Sequence, residues 1–205
     1  MTKQGYKPLL LPLIVFLCYP AKADAKCRKY SKTLPKIYVD VTVWECTDRN
    51  GRLHGATKAW WKDHPKNQLF YKGQYWKGKK TGTWRYFHTS GGGKMKVEKW
   101  KRGKKVGTWT KWHYGGVVAR RVSFRNGKMH GFDRLWWGSG KLKFEQRYNN
   151  GKPAGPQRGW HRNGTKQYVA PYRNGKEHGV TVWWDKNGKV VERCKYRNGK
   201  EMGCI

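Results

Sequence analysis

Apolar residues occur along the chain in short runs, and glycine-rich turns separate the runs. Residues 180–184 are all β-branched or aromatic, as strands prefer. Near the N-terminus, aliphatic and other residues alternate over residues 37–44: Ile37, Val39, Val41 and Val43 against Tyr38, Asp40, Thr42 and Trp44. This alternation predicts a capping strand with one buried face. No segment has a convincing helical period, so the pattern predicts an all-β fold.

The runs repeat with a period of about 24 residues. In six units a glycine follows an aromatic residue by three positions, at spacings of 25, 24, 24, 24 and 24: Gly78, Gly103, Gly127, Gly151, Gly175 and Gly199. The aromatic residues are Tyr75, Trp100, Phe124, Tyr148, Tyr172 and Tyr196. A second glycine follows each first one by four positions: Gly82, Gly107, Gly131, Gly155, Gly179 and Gly203. A looser copy contains Gly51 and Gly55.

Each unit therefore reads as two strands joined by turns. Asn-Gly, which supplies the positive φ angles of tight hairpin turns, recurs at Asn126, Asn150, Asn163, Asn174, Asn187 and Asn198. Two strands separated by about 4.8 Å give a rise of roughly 10 Å per unit. Seven tandem hairpin units then predict an elongated, single-layer antiparallel β-sheet roughly 65 Å long.

The unit formed by residues 172–179, Trp184 and Asn187-Gly-Lys189 resembles the MORN repeat. It looks closest to the 24-residue bacterial variant of YwqK-like antitoxin proteins. The resemblance covers about residues 46–205, after a signal peptide (1–25) and a capping segment (26–45). It implies a scaffold that binds phospholipid or protein partners, and it brings no catalytic residues.

The first 25 residues are typical of a secretory signal. Lys3 and Lys7 precede an apolar stretch over residues 8–20, and Ala23-Asp24-Ala25 provides a cleavage site. We therefore expect a secreted or periplasmic protein, with an uncleaved anchor as the alternative. Cleavage removes three lysines and one aspartate, so the formal charge falls from +34 to +32.

The number and positions of the cysteines are typical of an exported protein with disulfide bonds. Cys27, Cys46, Cys194 and Cys204 remain after cleavage, clustered at the two ends of the chain. Sequence proximity favours Cys27–Cys46 and Cys194–Cys204 disulfides among three possible connectivities. A zinc site is the rival interpretation, but the chain has no C-x-x-C pair and the spacings do not suit one.

Charge indicates the kind of partner. The 46 lysines and arginines face only 12 acids, and repulsion of this size would be relieved by a polyanion. Every unit has a cation after its first glycine, which predicts a row along one edge: Arg52, Lys79, Lys104, Lys128, Lys152, Lys176 and Lys200. Further predicted polyanion-binding cations are Lys80, Lys101, Arg102, Lys105, Arg120 and Arg121.

Among polyanions, location favours an anionic membrane or lipopolysaccharide over nucleic acid. The alternative is a protein-interaction module of antitoxin, immunity or effector type that binds an acidic protein. The oligomeric state stays open.

Catalysis has little support, because the few acids are scattered and no nucleophile–base pattern or phosphate-binding loop occurs. We expect no enzyme activity and no cofactor. The histidines share two repeat phases, His54, His130 and His178 in one and His88, His113 and His161 in the other. Same-phase residues would lie roughly 10 Å apart, too far to share a metal ion, so no metal site is predicted.

Overall fold

The computed structural model describes residues 26–34, 39–62, 68–89 and 93–205. The expected signal segment, and Ile37 and Tyr38 of the expected capping strand, lie outside these residues. The described chain forms one open antiparallel sheet of 17 strands. This confirms the predicted all-β, single-layer architecture of hairpin repeats. In the described residues no helix is long and apolar enough to span a bilayer.

The strands follow one another in chain order. Their bounds are β1 (Lys26–Leu34), β2 (Val39–Thr47), β3 (Leu53–Trp61), β4 (Leu69–Trp76), β5 (Lys79–Phe87), β6 (Lys94–Lys101), β7 (Lys104–Lys105), β8 (Gly107–Trp112), β9 (Val118–Arg125), β10 (Lys128–Trp136), β11 (Leu142–Asn149), β12 (Lys152–Trp160), β13 (Lys166–Arg173), β14 (Lys176–Glu177), β15 (Gly179–Trp184), β16 (Val190–Arg197) and β17 (Lys200–Cys204). The short strands β7 and β14 begin strands that continue as β8 and β15, since β6 pairs with β8 and β13 with β15.

The hairpin turns after the repeated aromatic residues are two residues long. Both central residues have positive φ, as at Asn126 (51°) and Gly127 (88°), which is the type I′ geometry that suits the strand twist. Four of the chain's seven Asn-Gly pairs adopt this turn, whereas in Asn50-Gly51 only the glycine has a positive φ (72°). At Asn163 and Asn187 only the following glycine has a positive φ, because these pairs sit in longer turns at the opposite edge, closed by bonds such as Asp185 N–H to the Lys189 carbonyl (2.9 Å).

One face of the sheet carries most of the buried rings, and we call it the aromatic face; its rings include Tyr75, Trp84, Tyr86, Trp100, Trp109 and Phe124. Trp84 is only 1% exposed and donates its indole N–H to the Gln74 carbonyl at 3.1 Å. Burial raises the pKa of Tyr75 to about 12 and also raises that of Tyr86. Residues on alternate positions of each strand point to the opposite side, which we call the basic face.

Both ends of the sheet carry a cross-strand disulfide. Cys27 on β1 is bonded to Cys46 on β2, and Cys194 on β16 to Cys204 on β17, which confirms the predicted pairing. Val41 and Val43 are 0% and 1% exposed, so the described part of the capping strand has the predicted buried side. The structure adds β1, a strand outside it that the alternation did not reveal.

Candidate functional site

The type I′ turns align along one long edge of the sheet. We call this the basic edge and define it by the turns at Gly78, Gly103, Gly127, Gly151, Gly175 and Gly199. Each turn is tied to the unit before it: Gly103 N–H donates to the Lys80 carbonyl (2.8 Å), and Gly199 N–H to that of Glu177 (2.8 Å). These bonds hold successive turns in line, so the residues after the glycines form a row.

The lysine stems of this row cover the neighbouring turns. A Cβ placed on Gly175 would lie 3.4 Å from the Cβ of Lys152, and one on Gly103 equally close to that of Lys79. The stems are thereby packed against the next unit while the side chains stay exposed. The row thus presents ammonium groups on a structured support.

Most of the row has no internal countercharge. Lys79, Lys104, Lys128, Lys152, Lys176 and Lys200 are exposed, and none has a carboxylate within ion-pair distance in the described chain. The first member differs, since Arg52 contacts Asp48 at 2.9 Å. Lys101 and Arg102, beside the row, are exposed as well.

A depression of about 500 Å³ opens on this edge between the first units. Arg52, Lys77, Lys79 and Arg102 line it together with Trp76. The Trp76 ring is 46% exposed and packs against the His54 ring at 4.7 Å between centroids. The depression therefore combines four cations with one exposed aromatic ring, a composition suited to an anionic group joined to an apolar portion.

Two of these cations occupy unfavourable backbone positions. Lys77 has φ 45° and Arg102 has φ 47°, where the four later turns carry asparagine at φ 49° to 54°. This left-handed conformation costs an ordinary L-residue roughly 1–2 kcal/mol, and asparagine tolerates it better. Strain of this kind often accompanies function, and here both strained residues line the same depression.

Three of the predicted cations are engaged inside the aromatic face. Lys80 donates to the Tyr86 hydroxyl at 2.7 Å and lies 4.1 Å from the Trp84 ring, and burial lowers its pKa. Lys105 lies over the rings of Trp109 and Phe124. The remaining one, Arg120, makes two hydrogen bonds to the Asp133 carboxylate, at 2.8 and 2.6 Å. These three side chains stabilise the sheet.

The acidic residues are also used internally. Glu98 and Asp133 are each 4% exposed. The Glu98 carboxylate accepts from Lys96 (2.7 Å), the Trp100 indole (3.0 Å) and the Tyr86 hydroxyl (3.3 Å). Because such carboxylates lie within the aromatic face, they do little to neutralise the basic edge.

The basic face carries a second set of cations, of which the sequence predicted only Arg121 as a polyanion-binding residue. Residues directly opposite each other on neighbouring strands share a face, and the register places Lys58 beside Lys72, and Lys72 beside Arg85. Farther along, the same cross-strand row continues through Thr110, Arg121, Arg134, Glu145 and Arg158. We call the six cations of its part from β3 to β12 the cation ladder: Lys58, Lys72, Arg85, Arg121, Arg134 and Arg158. The alternation of cations with rings in β4 and β5 was the signal that could have revealed it.

The histidines and cysteines have structural contacts. His113 Nε2 lies 2.9 Å from the Trp136 carbonyl oxygen, and His161 Nε2 lies 2.8 Å from that of Trp184, which links successive units at the opposite edge. Glu192 lies close to Cys194 and Cys204, but these two sulfurs are joined in a disulfide and do not offer thiolates to a metal. The two disulfides are compatible with an oxidising, extracytoplasmic location.

Residues 177–198 match the family described as MORN repeat variant. The match spans one unit, from β14 to the turn at Asn198. No curated protein matches the chain. The units before it have the same paired strands and the same positive-φ turns. The family match on this unit, in a sheet built of such units, supports a MORN-repeat protein.

Proposed function

We propose that this protein is a secreted or periplasmic binding scaffold, not an enzyme, and that its basic edge docks on an acidic surface of anionic lipid or lipopolysaccharide. The observation that carries the proposal is the row of exposed lysines without carboxylate partners along the basic edge. The buried carboxylates and the strained cations of the Trp76 depression support it. The resemblance to YwqK-like antitoxin proteins makes an acidic protein the alternative partner.

The spacing of the row suits a surface better than a point ligand. Successive lysines lie about 10 Å apart, since two strands separate them. This distance is close to the Debye length of about 8 Å at physiological ionic strength, so the lysines repel one another weakly in solution. Near an anionic membrane each contributes about 1 kcal/mol, so several lysines of one edge that contact it together add to the binding.

Removing three charges from the row tests the proposal. In the Lys128→Gln/Lys152→Gln/Lys176→Gln variant, we expect binding to vesicles of mixed neutral and anionic phospholipid to weaken by about 3 kcal/mol, or roughly 100-fold. The control is Lys166→Gln/Lys186→Gln/Lys189→Gln, which removes the same charge from exposed positions at the opposite edge. Vesicle co-sedimentation across a salt series, repeated with lipopolysaccharide, measures both variants.

Equal weakening in both triple variants would mean that net charge alone drives binding, and would overturn the role of the basic edge. Absence of wild-type binding to vesicles and to lipopolysaccharide at low salt would overturn the proposal as a whole. An acidic protein would then be the favoured partner, and its complex should be tight and depend weakly on salt concentration.

The strained turns give a second test. Lys77→Asn/Arg102→Asn should keep or raise the melting temperature, because asparagine suits the left-handed position. A gain of 1 kcal/mol corresponds to roughly 2–4 °C in a chain of this size. Vesicle binding should nevertheless fall at least about 10-fold, since two cations leave the Trp76 depression.

The reciprocal variant Asn150→Lys is the control: it places a lysine at φ 49° in a later turn and should lower the melting temperature. If Lys77→Asn/Arg102→Asn destabilises the protein instead, Lys77 and Arg102 serve the fold, and their proposed contact with the acidic surface is wrong.

A further inference from the structure

The cation ladder carries an unfavourable arrangement of like charges. Lys72 stands directly opposite Arg85, and Arg121 directly opposite Arg134. Like charges at directly opposed positions destabilise a sheet. Across strands these positions are about 4.8 Å apart, half the spacing of the lysines on the basic edge. The repulsion is therefore stronger here than along the edge, and an anion on this face would relieve it.

Few countercharges lie within the ladder. Glu145 is the carboxylate of the row between β3 and β12, and it binds Arg134 (2.7 Å) and Arg158 (3.0 Å). Lys72 and Arg85 are exposed and make no ion pair within the described residues. Arg121 is exposed too, and the contact the structure gives it is with the Trp136 ring, at 5.9 Å. The ladder thus keeps three cations available to a ligand.

Two depressions lie where the ladder crosses β8 to β12, one on each side of Phe132. The first, of about 590 Å³, is lined by Arg121 and Arg134 with the hydroxyls of Thr108, Thr110 and Ser123. The second, of about 550 Å³, includes Arg147 and Arg158. No carboxylate lines either depression. Guanidinium and hydroxyl donors grouped in this way suit the oxygen atoms of anionic groups.

The distribution of rings selects among linear polyanions. Single-stranded nucleic acid is held by stacking its bases on aromatic side chains. Most of the protein's stacked rings lie on the aromatic face, whereas Phe132 is the exposed ring between the two depressions, and the Arg134 guanidinium covers it at 4.1 Å. A polymer with charged groups and hydroxyls, and without bases, fits this face better. Acidic polysaccharides are polymers of this kind, and the disulfides are compatible with the extracytoplasmic location where a protein would meet them.

We propose that the cation ladder is a second binding site, separate from the basic edge, and that it binds an acidic polysaccharide lying across the strands. The polymer's carboxylate or sulfate groups contact Lys72, Arg85 and Arg121, and further anionic groups enter the depressions beside Phe132. A membrane at the basic edge and a polysaccharide on the basic face would then be held at once by one rigid sheet.

The test uses polygalacturonate, an unbranched polymer with a carboxylate on each sugar, and the full mature chain. In Lys72→Gln/Arg85→Gln/Arg121→Gln, we expect polygalacturonate binding to weaken at least 10-fold by calorimetric titration. The slope of the logarithm of the binding constant against the logarithm of the salt concentration should also become shallower, by roughly one for each cation removed. The control variant Lys166→Gln/Lys186→Gln/Lys189→Gln, with the same net charge, should stay close to wild type. Circular dichroism melting verifies that all variants are folded.

Equal polygalacturonate affinity in the ladder and control variants would overturn the proposal. A ladder variant that loses binding to oligothymidylate but keeps polygalacturonate would overturn the ligand class in favour of nucleic acid. The outcome is independent of the basic edge, because Lys128→Gln/Lys152→Gln/Lys176→Gln should bind polygalacturonate as the control does. Vesicle binding measured on the same three variants shows whether the edge proposal, the ladder proposal or both have failed.

Discussion

Replacing Trp84 by alanine should lower the free energy of unfolding by about 4 kcal/mol, a typical cost of truncating a buried tryptophan. The side chain is 1% exposed, and its ring packs against Tyr75 at 4.9 Å and Tyr71 at 5.6 Å. The Lys80 ammonium lies 4.1 Å from the same ring. In a single-layer sheet no second layer can close over the cavity. Urea unfolding followed by circular dichroism measures the decrease.

A second substitution, Gly73→Ala, is the control for this prediction. A Cβ on Gly73 would overlap Cδ2 of Trp84, so Gly73→Ala must displace the ring and should cost about 3 kcal/mol. With Trp84→Ala already present, the added methyl group has room, and Gly73→Ala should cost less than about 1 kcal/mol. Gly138→Ala, whose Cβ would meet nothing within 4 Å, is the matched substitution. Additive effects of Gly73→Ala and Trp84→Ala would contradict the proposed packing.

The sequence predicted the fold well because the turns define it. Glycines at fixed phase mark the turns along the basic edge, and the structure has positive φ at these glycines from Gly51 to Gly203. The disulfides followed from proximity. The pattern did not reveal β1, whose residues show no alternation, or the longer turns at Asn163 and Asn187. An Asn-Gly pair alone does not specify loop length, which depends on where the flanking strands end.

The sequence predicted the candidate site only in part, because it does not show which face of the sheet each cation points to. The predicted set contains adjacent cations in strands: Lys79 with Lys80, Lys104 with Lys105, and Arg120 with Arg121. Consecutive strand residues point to opposite faces, so one member of each pair must enter the aromatic face. Lys80, Lys105 and Arg120 are those members. The alternation of side chains along a strand predicts that the two members of each pair point to opposite faces. The register of the sheet decides which member points to the aromatic face.

The cation ladder could not be read from the repeat period. Its members occupy two fixed phases of the unit: Lys58, Arg85, Arg134 and Arg158 come three residues after a second glycine, and Lys72 and Arg121 six residues before a first glycine. The period alone does not show that these two phases pair across strands. Cross-strand neighbours such as Lys72 and Arg85 are 13 residues apart, while Arg121 and Arg134 come from another unit. Only the strand pairing brings them into a row. Charge density in the sequence therefore indicates a polyanion partner but does not locate its surfaces.

Removing Arg120 should destabilise the protein far more than removing Asp133, although the two form one ion pair. Asp133 is 4% exposed, whereas the Arg120 side chain is 45% exposed and can be hydrated alone. Arg120→Met therefore strands a buried carboxylate, which typically costs 3–5 kcal/mol. Asp133→Asn leaves a half-exposed guanidinium and should cost about 1 kcal/mol. The free energies of unfolding of the two single variants measure this asymmetry.

The double variant Arg120→Met/Asp133→Asn removes both charges and should recover most of the stability that Arg120→Met loses, because an apolar side chain then faces a neutral amide. If Arg120 instead serves as a surface cation, Arg120→Met should weaken vesicle or polygalacturonate binding with little change in stability, and the double variant should restore nothing. Because Asp133 is buried, we expect Arg120→Met to lower the stability and the double variant to recover most of it. A charge surplus this large is thus compatible with a folded sheet in part because buried carboxylates such as Glu98 and Asp133 each hold a cation that would otherwise add to the repulsion.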